Sequence, residues 1–294
     1  MRRGTLIGLV GSGAAIALVV GASIVWPGLD AQETPKVDTS VWAIQSGDTR
    51  RYARVNTTIG ELDTVRSVSN PSAVVQGEGG AYLFSDSWSK LTPIDEAMPV
   101  DLDEEALRAS PSTPAGTTEV VVAGDFVAYL TDAGTVHVGR LSDQSATQLD
   151  PFPSDEDDAP QYTADALAID DRGILFVYSQ DDAAVLTYDI LDGAVQARDE
   201  ISADGLGSPT ISAAGDAWVL IDAEDGEVWV EGANAPITAE TTGAVVVSEP
   251  DPDGEAVYLA DETGLVRVPG DGSSPRRLVG VETTAIGTPA DPDR

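Results

Sequence analysis

The sequence predicts an all-β chain: a β-propeller of six to seven blades, four strands each, preceded by one N-terminal transmembrane helix. Three observations predict it. The 22 residues from Thr5 to Trp26 carry no charge. Beyond residue 40 the chain consists of short Val, Ile, Leu, Tyr and Trp runs parted by Gly, Asp, Asn and Pro turns. Those runs recur at a nearly constant interval.

The apolar stretch comes first. At about 1.5 Å per helical residue it is long enough for a hydrocarbon core about 30 Å thick. Arg2 and Arg3 precede it, and the residues that follow are mostly acidic or neutral. The positive-inside rule then expects the N-terminus in the cytoplasm and the remainder outside. Trp26 suits the membrane–water boundary, and Pro27 and Gly28 end the helix. A cleaved signal peptide competes with this reading, but its apolar core is usually about 7–15 residues, and Leu29-Asp30-Ala31 is a poor small-x-small cleavage site. A buried cytoplasmic helix is the third reading, and the length and flanks argue against it. The expected organisation is a cytoplasmic stub (1–4), a transmembrane helix (5–26), a polar linker (27–39) and an extracytoplasmic propeller (40–294). The chain is expected in the cell membrane, single-pass, with residues 5–26 as its contact with lipid.

The repeats justify the propeller. Trp42 in SVWAI, Leu83 in AYLFS, Leu130 in AYLTD, Val177 in LFVYS, Leu220 in WVLID and Leu259 in VYLAD share a register, with gaps of 41, 47, 47, 43 and 39 residues. Strand-only periods near 40–50 are typical of four-stranded blades. Two-sheet sandwiches or paired Ig-like domains are the competing architecture, but Ig repeats would be about 90–100 residues apart. Six units are expected, at about 40–70, 72–109, 117–153, 163–202, 207–240 and 243–281. The segment 99–112 has room for one or two helical turns. The tail ETTAIGTPADPDR reads as the beginning of a seventh unit, so the domain is either incomplete at its C-terminus or a closed ring with a frayed end. Within a unit, Gly134, Gly226 and Gly264 are placed to supply the positive φ of a hairpin. Val136 and Val138, Val228 and Val230, and Val266 and Val268 are expected to face one side.

Composition excludes several chemistries. There are 16 basic against 50 acidic residues, a net charge of −34, which repels phosphate backbones and argues against nucleic acid as a partner. There is no cysteine, so disulfides, thiolate catalysis and Cys-based metal sites are excluded. The single histidine, His137, leaves no multi-His metal site, and its place between Val136 and Val138 reads as the variable side of a strand, matched by Trp229 and Arg267 in later units.

The acidic loops are weak calcium candidates: Asp155, Asp157 and Asp158 in PSDEDDAP, and Asp251 and Asp253 in DPDGE. The run 222–227, DAEDGE, is of the same kind. None has EF-hand spacing, and each also fits a solvated turn in which Asp and Gly serve the backbone. No cofactor constellation and no catalytic residue stands out. GEGGAY (77–82) lacks the lysine and the strand–loop–helix setting of a phosphate loop.

The opening MRRGTLIGLV…VVGASIVWPG, then SVWAIQSGDTRRYARVNTTIGEL with its Arg54-Val55-Asn56-Thr57 stretch, resembles a family of actinobacterial membrane-anchored surface proteins. Its members carry one N-terminal membrane helix, a propeller-like region, and then fibronectin type III or bacterial Ig-like modules. The bias of two lysines, Lys36 and Lys90, against fourteen arginines agrees with the GC-rich genome such a source implies. The resemblance covers most of the chain, stops short of the downstream modules, and implies no catalytic residues.

The functional expectation is a membrane-anchored, extracytoplasmic, non-catalytic binding or scaffold module at the cell surface, with a protein or a cell-wall polysaccharide as partner. The alternative is an exported propeller enzyme acting on polysaccharide, a glycoside hydrolase or lyase. Fold alone does not choose between them. Acids or His137 converging on a central channel would favour the enzyme.

Overall fold

The computed structural model describes residues 40–278, except 46, 48, 78, 150–161, 203–205, 234, 242–244 and 249–253. The expected stub, membrane helix and linker lie outside the described residues, as do all five calcium candidates and the tail from residue 279. Among the described residues no helix is long and apolar enough to cross a membrane. The chain divides into two compact units, Met1–Ser40 and Val41–Arg294, and the architecture below is that of the second.

Six antiparallel meanders appear, one in each expected unit. Blade 1 holds β1 (Ser40–Gln45), β2 (Arg51–Asn56) and β3 (Glu61–Ser67). Blade 2 holds β4 (Pro71–Gly77), β5 (Gly80–Ser85) and β6 (Lys90–Pro93), then a short helix α1 (Glu104–Ala109). Blade 3 holds β7 (Thr117–Ala123), β8 (Phe126–Thr131), β9 (Val136–Arg140) and β10 (Ser145–Gln148). Blade 4 holds β11 (Ala166–Ile169), β12 (Ile174–Ser179), β13 (Ala184–Asp189) and β14 (Ala194–Glu200). Blade 5 holds β15 (Pro209–Ala214), β16 (Ala217–Asp222), β17 (Glu227–Val230) and β18 (Ile237–Thr238). Blade 6 holds β19 (Val246–Val247), β20 (Ala256–Asp261), β21 (Gly264–Pro269) and β22 (Arg276–Leu278). The fold is a β-propeller.

The expectation of four strands per blade holds for blades 3 to 6 and is corrected for blades 1 and 2, where three are found among the described residues. In blade 2 the cause is local. The segment after α1 touches β6 briefly: the Leu91 N–H donates to the Pro111 carbonyl (3.1 Å) and the Thr113 N–H to the Ser89 carbonyl (3.2 Å). Pro111 and Pro114 have no N–H to give, so the ladder cannot extend. The helix falls where helical turns were expected. The Asp103 carboxylate accepts from the Glu105 and Ala106 N–H groups (3.0 and 2.9 Å), and Leu107 buries itself against blades 1 and 2.

The core is not central but layered between blades. One apolar cluster fills each of the five junctions from blade 1–2 to blade 5–6. Hence β8, β12 and β16 are continuous apolar runs rather than alternating ones: Trp218 and Leu220 face blade 4, while Val219 and Ile221 face blade 6. Each such side chain contributes about 1.5–3 kcal/mol of burial. Among the described residues no such cluster joins blade 6 to blade 1.

This layering corrects the sequence register. Leu83, Val177, Leu220 and Leu259 all face the preceding blade, but Leu130 faces the following one, and Tyr129 is the residue that faces back. Trp42 likewise faces forward, into the blade 1–2 layer. A one-residue slip in a strand exchanges its faces. The two valines of each pair do share a side, as expected, but the pairs do not all face the same way round the ring. Val228 and Val230 of blade 5 meet Val266 and Val268 of blade 6 across a single layer.

The hairpin glycines behave as expected: φ is +71° at Gly134, +70° at Gly226 and +145° at Gly264. A second hairpin device recurs beside them. The central strand of blades 2 to 6 ends in a buried polar residue: Ser85, Thr131, Ser179, Asp222 or Asp261. Four of these five accept an N–H from the turn they begin: Thr135 onto Thr131 (3.1 Å), Asp182 onto Ser179 (3.3 Å), Glu224 onto Asp222 (2.9 Å) and Thr263 onto Asp261 (2.8 Å). The Ser85 hydroxyl has no hydrogen-bond partner among the described residues.

Candidate functional site

The strands nearest the axis border one cavity of about 520 Å³. Its wall is drawn from all six sheets: β1, β4, β7, β11, β15 and β19 each contribute. Most of the lining is Val, Ile, Leu and Ala, with polar groups from Gln76, Glu119, Thr210, Ser212 and Ser248. These polar groups also tie neighbouring blades. The Trp42 N–H donates to Gln76 Oε1 (2.9 Å), joining blade 1 to blade 2. The buried Ser212 hydroxyl donates to the Ser248 carbonyl (3.4 Å), a long contact joining blade 5 to blade 6.

Among the described residues Glu119 is the one charged residue on this wall. It follows a break in register at Thr118, where β7 carries one residue more than β8 opposes. Such bulges re-aim side chains. Burial pushes the Glu119 carboxyl above the usual carboxylate range.

His137 lies elsewhere. It stands on the face of β9 turned to blade 2, directly across the ladder from Tyr129. It borders a separate cleft of about 370 Å³ with Tyr129, Leu91 and the Pro111–Pro114 segment. Burial lowers its pKa and raises that of Tyr129 to about 12. The expectation that His137, Trp229 and Arg267 share a non-packing side is overturned at Trp229, which is buried in the blade 4–5 layer. The reason is geometric: in a stack of sheets both faces of a middle strand meet a neighbour.

The candidate loop at 222–227 resolves as a turn. The Asp222 carboxylate accepts N–H groups of Gly207 (3.0 Å), Ser208 (3.4 Å) and Glu224 (2.9 Å). Burial would raise its pKa, but these donors outweigh it and hold the carboxyl below its ordinary value. Among the described residues no group of three or more His, Cys, Asp or Glu is placed to hold a metal.

A further carboxylate, at Asp170, went unnoticed in the sequence. Fully buried, it accepts the Arg172 and Ile174 N–H groups (3.1 and 2.7 Å) and the Arg172 guanidinium, which reaches on to Asp216 of blade 5. The signal was present as Asp-Asp-Arg-Gly at a hairpin, but nothing in one sequence says that the arginine spans two blades.

No protein-family profile matches the chain, and no curated protein matches it. Solved structures do. The chain is similar to Hsv2 of Kluyvelomyces marxianus, at 8% identity over 82% of this chain and 84% of that one, TM-score 0.56. It is similar to the dihydro-heme d1 dehydrogenase NirN in complex with DHE, at 13% identity over 83% of this chain and 54% of that one, TM-score 0.52. The β-propeller domain of Myceliophteria thermophila Cps50 (Swd1) aligns at 11% identity over 83% and 90% of the two chains, TM-score 0.49. At such identities the first two likenesses show the fold alone.

Proposed function

We propose that the chain is a binding or scaffold module, held at the outer surface of the cell membrane by residues 5–26 and acting without catalysis. Its partner is a protein or a cell-wall polysaccharide. The observation that carries the reading is the axial cavity. Its volume of about 520 Å³ is within the range of small-ligand sites. Its apolar wall with separated hydroxyl, amide and carboxyl groups suits a neutral, hydroxyl-rich ligand such as a saccharide unit. The charge of −34 weighs against polyanionic ligands.

The enzyme reading calls for two carboxylates about 5–10 Å apart. Among the described residues Glu119 is the one acid bordering the cavity.

The test is co-sedimentation of the full chain with a neutral cell-wall polysaccharide, with released sugar measured in parallel. The proposal expects retention on the polymer, loss of retention in a Ser212→Trp variant that obstructs the cavity, and no sugar release. Release of sugar that is lost in Glu119→Gln would overturn it in favour of the enzyme.

A further inference from the structure

The fold does not require a carboxylate at position 119. Blades 2 and 3 share one irregularity: β4 shifts register against β5 between Pro71 and Ala73, and β7 against β8 between Thr117 and Glu119. In both, the residue after the shift pairs with the one just before the buried polar end of the central strand, Phe84 before Ser85 and Leu130 before Thr131. Blade 2 puts Ala73 at that rung. At the matching rung blades 4, 5 and 6 put Ala166 opposite Tyr178, Thr210 opposite Ile221 and Val246 opposite Ala260. Five blades build the same rung, and only blade 3 places a charge there.

That charge is held at a cost. Glu119 is half-buried on a wall made mostly of Val, Ile, Leu and Ala. Among the described residues no hydrogen bond or ion pair reaches its carboxylate. The buried acids of the hairpins differ: Asp170, Asp222 and Asp261 each accept backbone N–H groups. Taking a carboxylate out of water is unfavourable unless it is paired. A group that the fold does not need, kept unpaired beside a cavity, is the kind of local instability that binding sites carry.

The missing partner is a single positive charge. One carboxylate balances one cation, whereas calcium takes about 6–8 oxygen ligands, and no metal-holding group of acids is found among the described residues. The net charge of −34 already concentrates cations around the molecule. The rest of the wall offers the hydroxyls of Thr210, Ser212 and Ser248, which suit the hydroxyls of a sugar.

We propose that the axial cavity takes an amino sugar, a saccharide unit bearing one protonated amine, whose ammonium pairs with Glu119. This rests on the saccharide reading of the cavity and adds one charged substituent to that ligand. The ammonium donates to the carboxylate, a charge-assisted hydrogen bond of the stronger kind. Stability and binding then move in opposite directions at one residue. Glu119→Gln removes an unpaired charge from the free protein and removes the pairing from the complex. A carboxylate with a purely structural role would instead lose stability on that change.

The full chain in detergent is titrated calorimetrically at pH 6 with methyl glucosaminide and with its N-acetyl counterpart, in which a neutral amide replaces the ammonium. Salt is kept high so that the acidic surface is screened. The parent should bind the amine roughly tenfold or more tightly than the amide. Glu119→Gln should bring the two sugars to the same affinity, with a melting temperature no lower than the parent's. At pH 3, where the carboxyl takes up its proton, the parent should lose the preference as well. Equal binding of the two sugars by the parent overturns the ammonium and leaves the saccharide reading standing. Binding of neither overturns both. A preference for the amine that survives Glu119→Gln places the cation on the acidic surface and overturns the proposal.

Discussion

Asp222 and Glu119 show how one chemical group, the carboxyl, takes opposite roles in one propeller. Asp222 is buried but surrounded by backbone donors, so its ionised form is the favoured one. A carboxyl whose folded pKa is depressed contributes stability that is present above its unfolded pKa of about 3.9 and is lost as pH falls through the folded value. Asp222→Ala should cost about 1–3 kcal/mol at neutral pH, since it leaves buried N–H groups unpaired, and the cost should shrink toward acid. A thermal melt at pH 7 and pH 3 checks both. Glu119 is the reverse case: burial raises its pKa without a compensating partner among its causes. Its folded pKa lies above the unfolded one, so stability is undiminished below the unfolded value of about 4.3 and declines as pH rises toward the folded value. Glu119→Gln should raise the urea midpoint at pH 8 and leave it nearly unchanged at pH 3. A midpoint that falls at pH 8 would mean the carboxylate has a partner that burial alone does not describe.

The hairpin is the element in which most of the fold was legible. Gly134 stands at φ +71°, and a Cβ there would lie 2.3 Å from Thr163 Cγ2 on the connection into blade 4. Gly60, at φ +67°, has open space around it. Gly60→Ala should therefore cost only the left-handed backbone, about 1–2 kcal/mol, while Gly134→Ala should cost more because the connection must also shift. Chemical denaturation of the two variants side by side measures the difference, and equal losses would show that the hairpin does not lean on blade 4. The glycines, the period and the six units could all be read from the sequence because turn chemistry and strand length are local. Facing was not local. Leu130 and Tyr129 are adjacent apolar residues in a run buried on both sides, so the pattern holds no alternation to set the register. For the same reason Trp229 was mistaken for a variable surface position. The polar residues that end the central strands were legible in principle, as Thr-Asp, Ser-Gln, Asp-Ala and Asp-Glu at fixed places, but their role as turn acceptors emerges only when the hairpins are seen together.

At the scale of the molecule, the cavity is the feature that no stretch of sequence announces, because it takes one strand from every sheet. Glu119, the one carboxylate lining it among the described residues, was hidden among fifty acids whose abundance made each uninformative. The calcium candidates Asp155, Asp157, Asp158, Asp251 and Asp253 lie outside the described residues, so the cavity is the site on which the functional reading stands. That reading joins two parts, a ring that binds and an N-terminal segment that holds it outside the membrane. The most direct test of the join is protease treatment of intact cells expressing the full chain, followed by detection of fragments from residues 40–278. The account predicts that externally added protease cleaves this region while a cytoplasmic marker survives. A propeller that stays intact until the cells are lysed would contradict it.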